Sequence, residues 1–284
     1  MSAAAPREER AALGLAPLGF LELDPPALVE LAATAGFDAV SLRTSAAVPG
    51  GVAYPVPAGG ALAARTRASL RAAGIEVLQV ELVPLARDTD VRRYRPMLED
   101  GAALGASRVV ATGDDVEPRV VADRLAALCE LAAECRMTVD LEFMRFRALA
   151  TLGQALRVIE LCGRPEVQVM IDALHLFRSG GQAHELRSVP AGRLGVCQLC
   201  DAPARPPPRD ALAAEAREDR LLPGAGGLPL GALIDALPAG TRFAAEVPLS
   251  APLGALPAIE RARRIATAAQ ALLTACGRGT RDMI

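Results

Sequence analysis

The sequence predicts an α/β fold, a (β/α)8 TIM barrel in a single domain, and three observations point there. Short β-branched apolar runs alternate with Ala/Leu/Arg-rich segments of helical length, recurring at roughly 30-residue spacing. Successive helices close on a glycine directly before the next strand, as in Ala35-Gly36-Phe37-Asp38-Ala39-Val40, Ala73-Gly74-Ile75-Glu76-Val77-Leu78 and Leu104-Gly105-Ala106-Ser107-Arg108-Val109. The strand count reaches eight, the number at which a parallel sheet closes on itself. A doubly wound open sheet needs no eighth strand and usually begins with a Gly-rich turn, which Leu15-Ala16-Pro17 does not provide.

Taken in order, Leu13–Leu18 reads as the first strand, and Pro25-Pro26 opens a helix running to Thr34. Phe37–Arg43 is the second strand, followed by a Pro/Gly-rich loop (Val48–Gly60) and a helix over Ala61–Ala73. Ile75–Val83 is the third strand, with its helix over Val91–Leu104. Arg108–Thr112 is the fourth, before a long helix over 117–136. Met137–Phe143 is the fifth, with a helix to Cys162. Val167–Ile171 is the sixth; it alternates little, as expected of a parallel strand covered on both faces, and Ser179-Gly180-Gly181 ends the segment in a turn. Leu194–Leu199 is the seventh strand. The 27-residue loop Asp201–Gly227 precedes a helix over Pro229–Leu237, and connections of that length are usually lids or binding elements. Phe243–Val247 is the eighth strand, and residues 255–276 form the closing helix. Nothing reads as an interdomain linker: residues 1–12 form an N-terminal extension, 13–276 the barrel and 277–284 a C-terminal tail.

Composition narrows the function. All 31 basic residues are Arg, so Schiff-base aldolases, pyridoxal phosphate enzymes and P-loop NTPases, which need a lysine amine, are excluded. Net charge is −2 with acids and arginines interspersed, which leaves no footprint for nucleic acid or an anionic membrane. The first ten residues carry acids and lack an apolar core, unlike a signal peptide, and no apolar stretch reaches spanning length uninterrupted. A cytoplasmic protein is expected. The six cysteines lie mostly within apolar patterns and read as reduced, small hydrophobes; Cys197-Gln198-Leu199-Cys200 has redox spacing but lies in a strand.

In a barrel, side chains at the carboxyl ends of the strands converge on one face. Those ends read Glu142 on strand five, Asp172 on six, Gln198 on seven and Glu246 on eight. Three carboxylates brought together repel one another unless a divalent cation lies between them. An all-oxygen donor set suits Mn2+ or Mg2+, with Zn2+ or Co2+ as further candidates. Glu81, on strand three, is a candidate for substrate contact, as is Arg178 toward an anionic group. His175 is expected in the loop beyond Asp172. Asp114-Asp115 reads as a helix cap or loop pair, Asp201 as a hydrogen-bond support at the rim, and Tyr54 as a candidate lid.

The segments Val139-Asp140-Leu141-Glu142-Phe143, Ile171-Asp172-Ala173-Leu174-His175-Leu176-Phe177-Arg178, Cys197-Gln198-Leu199-Cys200-Asp201, Arg220-Leu221-Leu222-Pro223-Gly224 and Ala245-Glu246-Val247-Pro248 resemble the xylose isomerase-like TIM barrel superfamily. The resemblance runs in order over about residues 13 to 275. Its members include sugar phosphate isomerases and epimerases, keto-inositol and 3-dehydroshikimate dehydratases, and endonuclease IV. It implies that Glu142, Asp172 and Glu246 are metal ligands, with Glu142 and Glu246 also the acid/base pair. It implies that His175 contacts substrate or transfers a proton, and that Arg220 binds a substrate oxygen or carboxylate. The epimerases usually carry His on strand seven where this chain has Gln198, whereas the dehydratase branches use Gln. Endonuclease IV needs a histidine-rich zinc cluster, and this chain has only two histidines, His175 and His184. The expected function is a divalent-metal-dependent isomerase or epimerase of a small keto-sugar or cyclic polyol. It would abstract a proton α to the carbonyl through a metal-stabilised enediolate, and a homo-oligomer is a further expectation. A dehydratase (lyase) and a non-catalytic sugar-binding barrel are the alternatives.

Overall fold

The computed structural model describes residues 12–279, so most of the expected N-terminal extension and the last five residues of the tail lie outside the described residues. Eight parallel strands close into a barrel in sequence order: β1 (Leu13–Leu15), β2 (Ala39–Arg43), β3 (Glu76–Leu85), β4 (Arg108–Gly113), β5 (Thr138–Glu142), β6 (Val167–Asp172), β7 (Leu194–Leu199) and β8 (Phe243–Ala245). Closure is direct: Leu13, Gly14 and Leu15 of β1 pair with Phe243, Ala244 and Ala245 of β8.

The helices are α1 (Pro25–Ala35), α2 (Ala61–Ala73), α3 (Arg95–Ala103), α4 (Pro118–Glu134), α5 (Leu152–Cys162), α6 (Ala173–Arg178), α7 (Leu212–Glu218), α8 (Leu230–Ala236) and α9 (Ala258–Ala275). Prolines set the starts of α1 and α4, where the missing N–H costs no bond. Gly36 ends α1 at φ +92°, a left-handed conformation that only glycine takes without strain. None of the described helices is long and apolar enough to cross a membrane.

Two connections differ from expectation. The turn beyond β6 is instead α6, because the Asp172 carboxylate caps it by accepting the His175 N–H at 2.9 Å. The long segment after β7 is not structureless: it holds a 3-10 turn (Arg209–Ala211) and α7. Asp201 ties it down, its side chain accepting from the N–H groups of Ala202, Gly224 and Leu228 at 2.8, 3.0 and 3.0 Å. The support expected of Asp201 is therefore given to this segment's backbone.

The main core lies between strands and helices, with Leu15, Val40, Val109 and Leu141 in one apolar cluster with Val29, Leu128, Val158 and Ile265. Inside the barrel the first layer is partly polar. Gln79 Nε2 donates to Asp140 Oδ2 at 2.7 Å, and Arg108 Nη1 donates to Asp140 Oδ1 at 2.9 Å and to Gln168 Oε1 at 2.6 Å. Gly195 is required beside it, since any Cβ there would collide with the Asp140 carboxylate. Strand alternation then determines the next layer up. The residues two positions beyond Ser41, Gln79, Asp140, Met170, Val196 and Ala244 face the same way: Arg43, Glu81, Glu142, Asp172, Gln198 and Glu246. Strand β3 carries one extra residue against β2 and another against β4, so both Glu81 and its neighbour Leu82 reach the interior.

Candidate metal centre and active site

That upper layer lines a cavity of about 370 Å³ at the carboxyl end of the barrel, at the small end of ligand-pocket sizes. Glu81, Glu142, His175, Gln198, Arg220 and Glu246 all face it, and Asp172 is buried behind them. Ligand atoms of Glu142, Asp172 and His175 lie within 4.8 Å of one another, with His175 Nε2 3.9 Å from Glu142 Oε1. Register places Asp172 directly beside Gln198. The Gln198 amide donates to Glu246 Oε1 at 3.3 Å, which leaves its carbonyl oxygen buried with no partner.

Arg220 binds the cluster together. Its Nη1 lies 2.6 Å from Asp172 Oδ2 and its Nη2 2.9 Å from Glu246 Oε2, while Nε donates to the Ala216 carbonyl at 2.7 Å. The guanidinium is buried, and two carboxylates compensate it. It reaches this place because the segment after β7 is clasped by the Asp201–Leu221 bridge and by Arg220 N–H donating to Pro248 O at 2.9 Å.

Burial dominates the electrostatics. It raises Glu142 well above the usual carboxylate range, reinforced by the charges of Glu246, Asp172 and Glu81 and opposed by Arg220. Burial likewise lifts Glu246 to about 7 against the pull of Arg220, with Asp172 and Glu81 adding to the rise. Asp172 behaves oppositely: burial would raise it, but Arg220, His175 and the His175 N–H together hold it below its ordinary value. Burial lowers His175 to about 4, so the imidazole is neutral near pH 7 despite the attraction of Asp172.

These features fit a divalent cation. The Gln198 carbonyl oxygen is a buried ligand atom without a partner, and a divalent cation among the crowded acids would relieve their mutual repulsion. Glu142, Asp172, Gln198 and Glu246 supply the oxygen set expected from the strand ends, and His175 adds a nitrogen beside Glu142 and Asp172.

Other residues fall differently. Arg178 does not face the cavity: its Nε and Nη2 bind Glu215 at 2.8 and 2.6 Å, and Nη2 also donates to Pro203 O. It points outward from α6 and anchors α7, so the substrate contact expected of it is corrected to a structural ion pair. Tyr54 donates to Leu21 O at 2.9 Å and does not line the cavity. Asp114 pairs with Arg147 at 2.5 Å, and Asp115 accepts the Glu117 N–H at the start of α4. His184 opens a 3-10 turn (Ala183–Ser188) away from the cavity.

Among the residues lining the cavity, Arg43, Phe146, Arg147 and Arg217 are not marked by the sequence. Arg43 ends β2 and pairs with Glu81 at 3.0 Å; its place at a strand end was the available signal. Phe146 meets the His175 ring edge-on at 5.6 Å between centroids and carries the Arg217 guanidinium 5.3 Å from its own. Phe146, Arg147 and Arg217 come from connecting segments, whose course no periodicity reveals.

Comparison with known proteins agrees with this geometry. The family model for the xylose isomerase-like TIM barrel matches residues 29–272. A curated relative, inosose isomerase of Halalkalibacterium halodurans, is 24% identical over 157 residues, covering 52% of this chain and 54% of the relative. The chain thus matches about half the length of that relative. Among solved structures, the IolI protein with a bound zinc atom superposes with a TM-score of 0.76 at 20% identity, covering 93% of this chain and 98% of that one. A xylose isomerase domain protein from Salmonella typhimurium gives 0.75 at 20% identity, with 95% and 100% covered. Fold, strand-end chemistry and the extent of the family match lead to one conclusion: this chain belongs to the xylose isomerase-like TIM barrel family.

Proposed function

We propose that this chain is a divalent-metal-dependent isomerase or epimerase that removes the proton next to the carbonyl of a small keto-polyol. The observation that carries the reading is the convergence of Glu142, Gln198 and Glu246 on one small cavity, with Asp172 buried behind them and the Gln198 carbonyl oxygen left without a partner. Glu142, Asp172, Gln198 and Glu246 hold the cation, with Mn2+ or Mg2+ favoured by the mostly oxygen donors. When bound, it supplies Lewis-acid polarisation of the substrate carbonyl.

The protein's own groups do the rest. Glu142 and Glu246 are the acid/base pair, one accepting the α proton and the other returning one. The neutral His175, set beside Glu142 by the Asp172 cap, contacts the substrate and can accept or donate at Nε2. Arg220 fixes the rotamers of Asp172 and Glu246 and presents positive charge to a substrate oxygen. The substrate is a small molecule, not nucleic acid, and the six free cysteines suit a reducing, cytoplasmic setting.

A dehydratase is the second reading, favoured by Gln198. An amide can hold a cation but cannot act as a base, so the proton for a departing hydroxyl comes from the carboxyl pair, Glu142 or Glu246.

The test is incubation of the Mn2+-loaded protein in D2O with an inosose, a ketohexose and 3-dehydroshikimate, alongside Glu246→Ala. Deuterium uptake without loss of water supports the isomerase; a new conjugated absorbance supports the dehydratase. Glu246→Ala should lose both metal and turnover while keeping its circular dichroism. Ligand-induced stabilisation with no exchange on any substrate would overturn the enzyme reading in favour of a binding protein.

A further inference from the structure

Across the cavity from Arg220 lies a second charged pair that the reaction does not use. Arg43 ends β2 and Glu81 stands opposite it in register on β3, with Arg43 Nη2 3.0 Å from Glu81 Oε2. Both residues line the cavity, and both are more than nine-tenths buried. The pair is incompletely satisfied: Arg43 Nε and Glu81 Oε1 have no hydrogen-bond partner.

A purely structural ion pair in a barrel interior is expected to look like the Asp140 network one layer below, where Gln79 and Arg108 take both carboxylate oxygens. At Arg43 and Glu81 one donor and one acceptor remain spare, buried within two residues that line a ligand-sized space. The terminal torsion of a glutamate is soft, so a small rotation turns Oε1 toward an incoming donor. The neighbouring wall is apolar, formed by Leu18, Leu21, Ala47, Val52 and Leu82. Those five side chains carry no polar group of their own to compete for the same ligand atom.

We infer that Arg43 and Glu81 form a hydroxyl clamp, which recognises a ring hydroxyl of the substrate at a position remote from the carbonyl. A hydroxyl is both donor and acceptor, so one such group gives its proton to Glu81 and accepts from Arg43. A methylene at that position leaves both protein groups unsatisfied, and an ether, which can only accept, leaves Glu81 without a donor. A carboxylate or phosphate there is repelled by Glu81. The clamp therefore selects a neutral polyol over a sugar phosphate bound in this orientation, and it rests on the reading of the chain as a keto-polyol enzyme.

The test uses the full chain loaded with Mn2+, with myo-inositol and its monodeoxy derivatives as probes, and calorimetry as the readout. In the wild type, removal of one particular hydroxyl should weaken binding by about 10- to 100-fold, with smaller losses elsewhere. Glu81→Gln should bind the parent and that deoxy compound within about threefold of each other while retaining its full complement of metal. Because a single change leaves its partner's charge buried, Arg43→Met/Glu81→Leu serves as a second variant that removes both charges at similar volume. It should lose the same discrimination while remaining folded by circular dichroism.

A wild type that treats all the deoxy compounds alike, or variants that keep its discrimination, would overturn the clamp. Loss of metal from Glu81→Gln would also overturn it, since the side chain would then belong to the cation site. Failure of the proposed reaction reads separately, as absence of deuterium exchange in a wild type whose deoxy series still discriminates.

Discussion

The most informative single perturbation is Arg220→Met, which keeps length and apolar bulk but removes the charge. In the wild type this guanidinium contacts Asp172 at 2.6 Å and Glu246 at 2.9 Å, and its side chain is only 1% exposed. Deleting one member of a buried, paired set costs about 3–5 kcal/mol, because the remaining charges lose their counter-ion without regaining water. For a chain of this size, roughly 2 °C per kcal/mol converts that into a fall of about 6–10 °C in Tm. The assay is thermal unfolding of chelator-treated protein, wild type against variant. Adding Glu246→Gln to Arg220→Met removes one of the stranded carboxylates. The double variant should recover about 1–3 kcal/mol of the loss, a coupling that independent sites would not show. A metal-free Arg220→Met protein melting within about 1 °C of wild type would refute the idea that this arginine balances the acids.

Further predictions concern protons and packing. Glu246 is raised from 4.5 to about 7, so its contribution to the stability of the metal-free protein is fully present below pH 4.5 and lost as pH rises through about 7. The metal-free protein should therefore weaken over that window, and Mn2+ should bind more tightly at the top of it, with proton release near pH 6 measurable by calorimetry in two buffers. Binding that is indifferent to pH and releases no protons would contradict the raised carboxyls. His175 shifts the other way, from 6.5 to about 4, and its contribution is present above pH 6.5 and lost as pH falls toward 4. That amounts to roughly 3 kcal/mol, so His175→Gln should show a flatter acid limb in urea unfolding than the wild type; parallel limbs would count against a buried neutral imidazole. Phe143, adjacent to Glu142 and 1% exposed, belongs to the apolar core. Phe143→Ala should cost about 3–5 kcal/mol in stability yet retain bound metal, and metal loss in a folded variant would show that the two faces of β5 are not independent.

The fold was legible because barrel strands and helices write different periods, and because glycines such as Gly36 and Gly74 mark the helix ends. Glu142, Asp172, Gln198 and Glu246 were legible for the same reason: a strand end is a position, and in a closed barrel position dictates neighbours. The same rule reached Arg43, which went unnoticed because an arginine at a strand end looks like a solvated terminus. Direction on a helix was harder to read. Arg178 and His175 lie three residues apart on α6, yet only His175 turns to the cavity, while Arg178 is drawn away by Glu215. Glu215 itself lies in a segment that read as one long loop, and α7 within it is only seven residues long, too brief for a periodic signal.

The clasp made by Asp201 has a consequence for how such a barrel can be altered. By fastening the backbone at Ala202, Gly224 and Leu228, this carboxylate turns what would be a swinging flap into a fixed bracket. The mouth is thereby divided into two workshops. On the side of β5 to β8, the bracket holds the charged machinery in register and tolerates little exchange. On the side of β1 to β4, the connection after β2 contributes Val48 and Val52, about half exposed, over the opening. Grafting new loops there should change which small molecules the cavity admits while the charged cluster beneath them stays as it was.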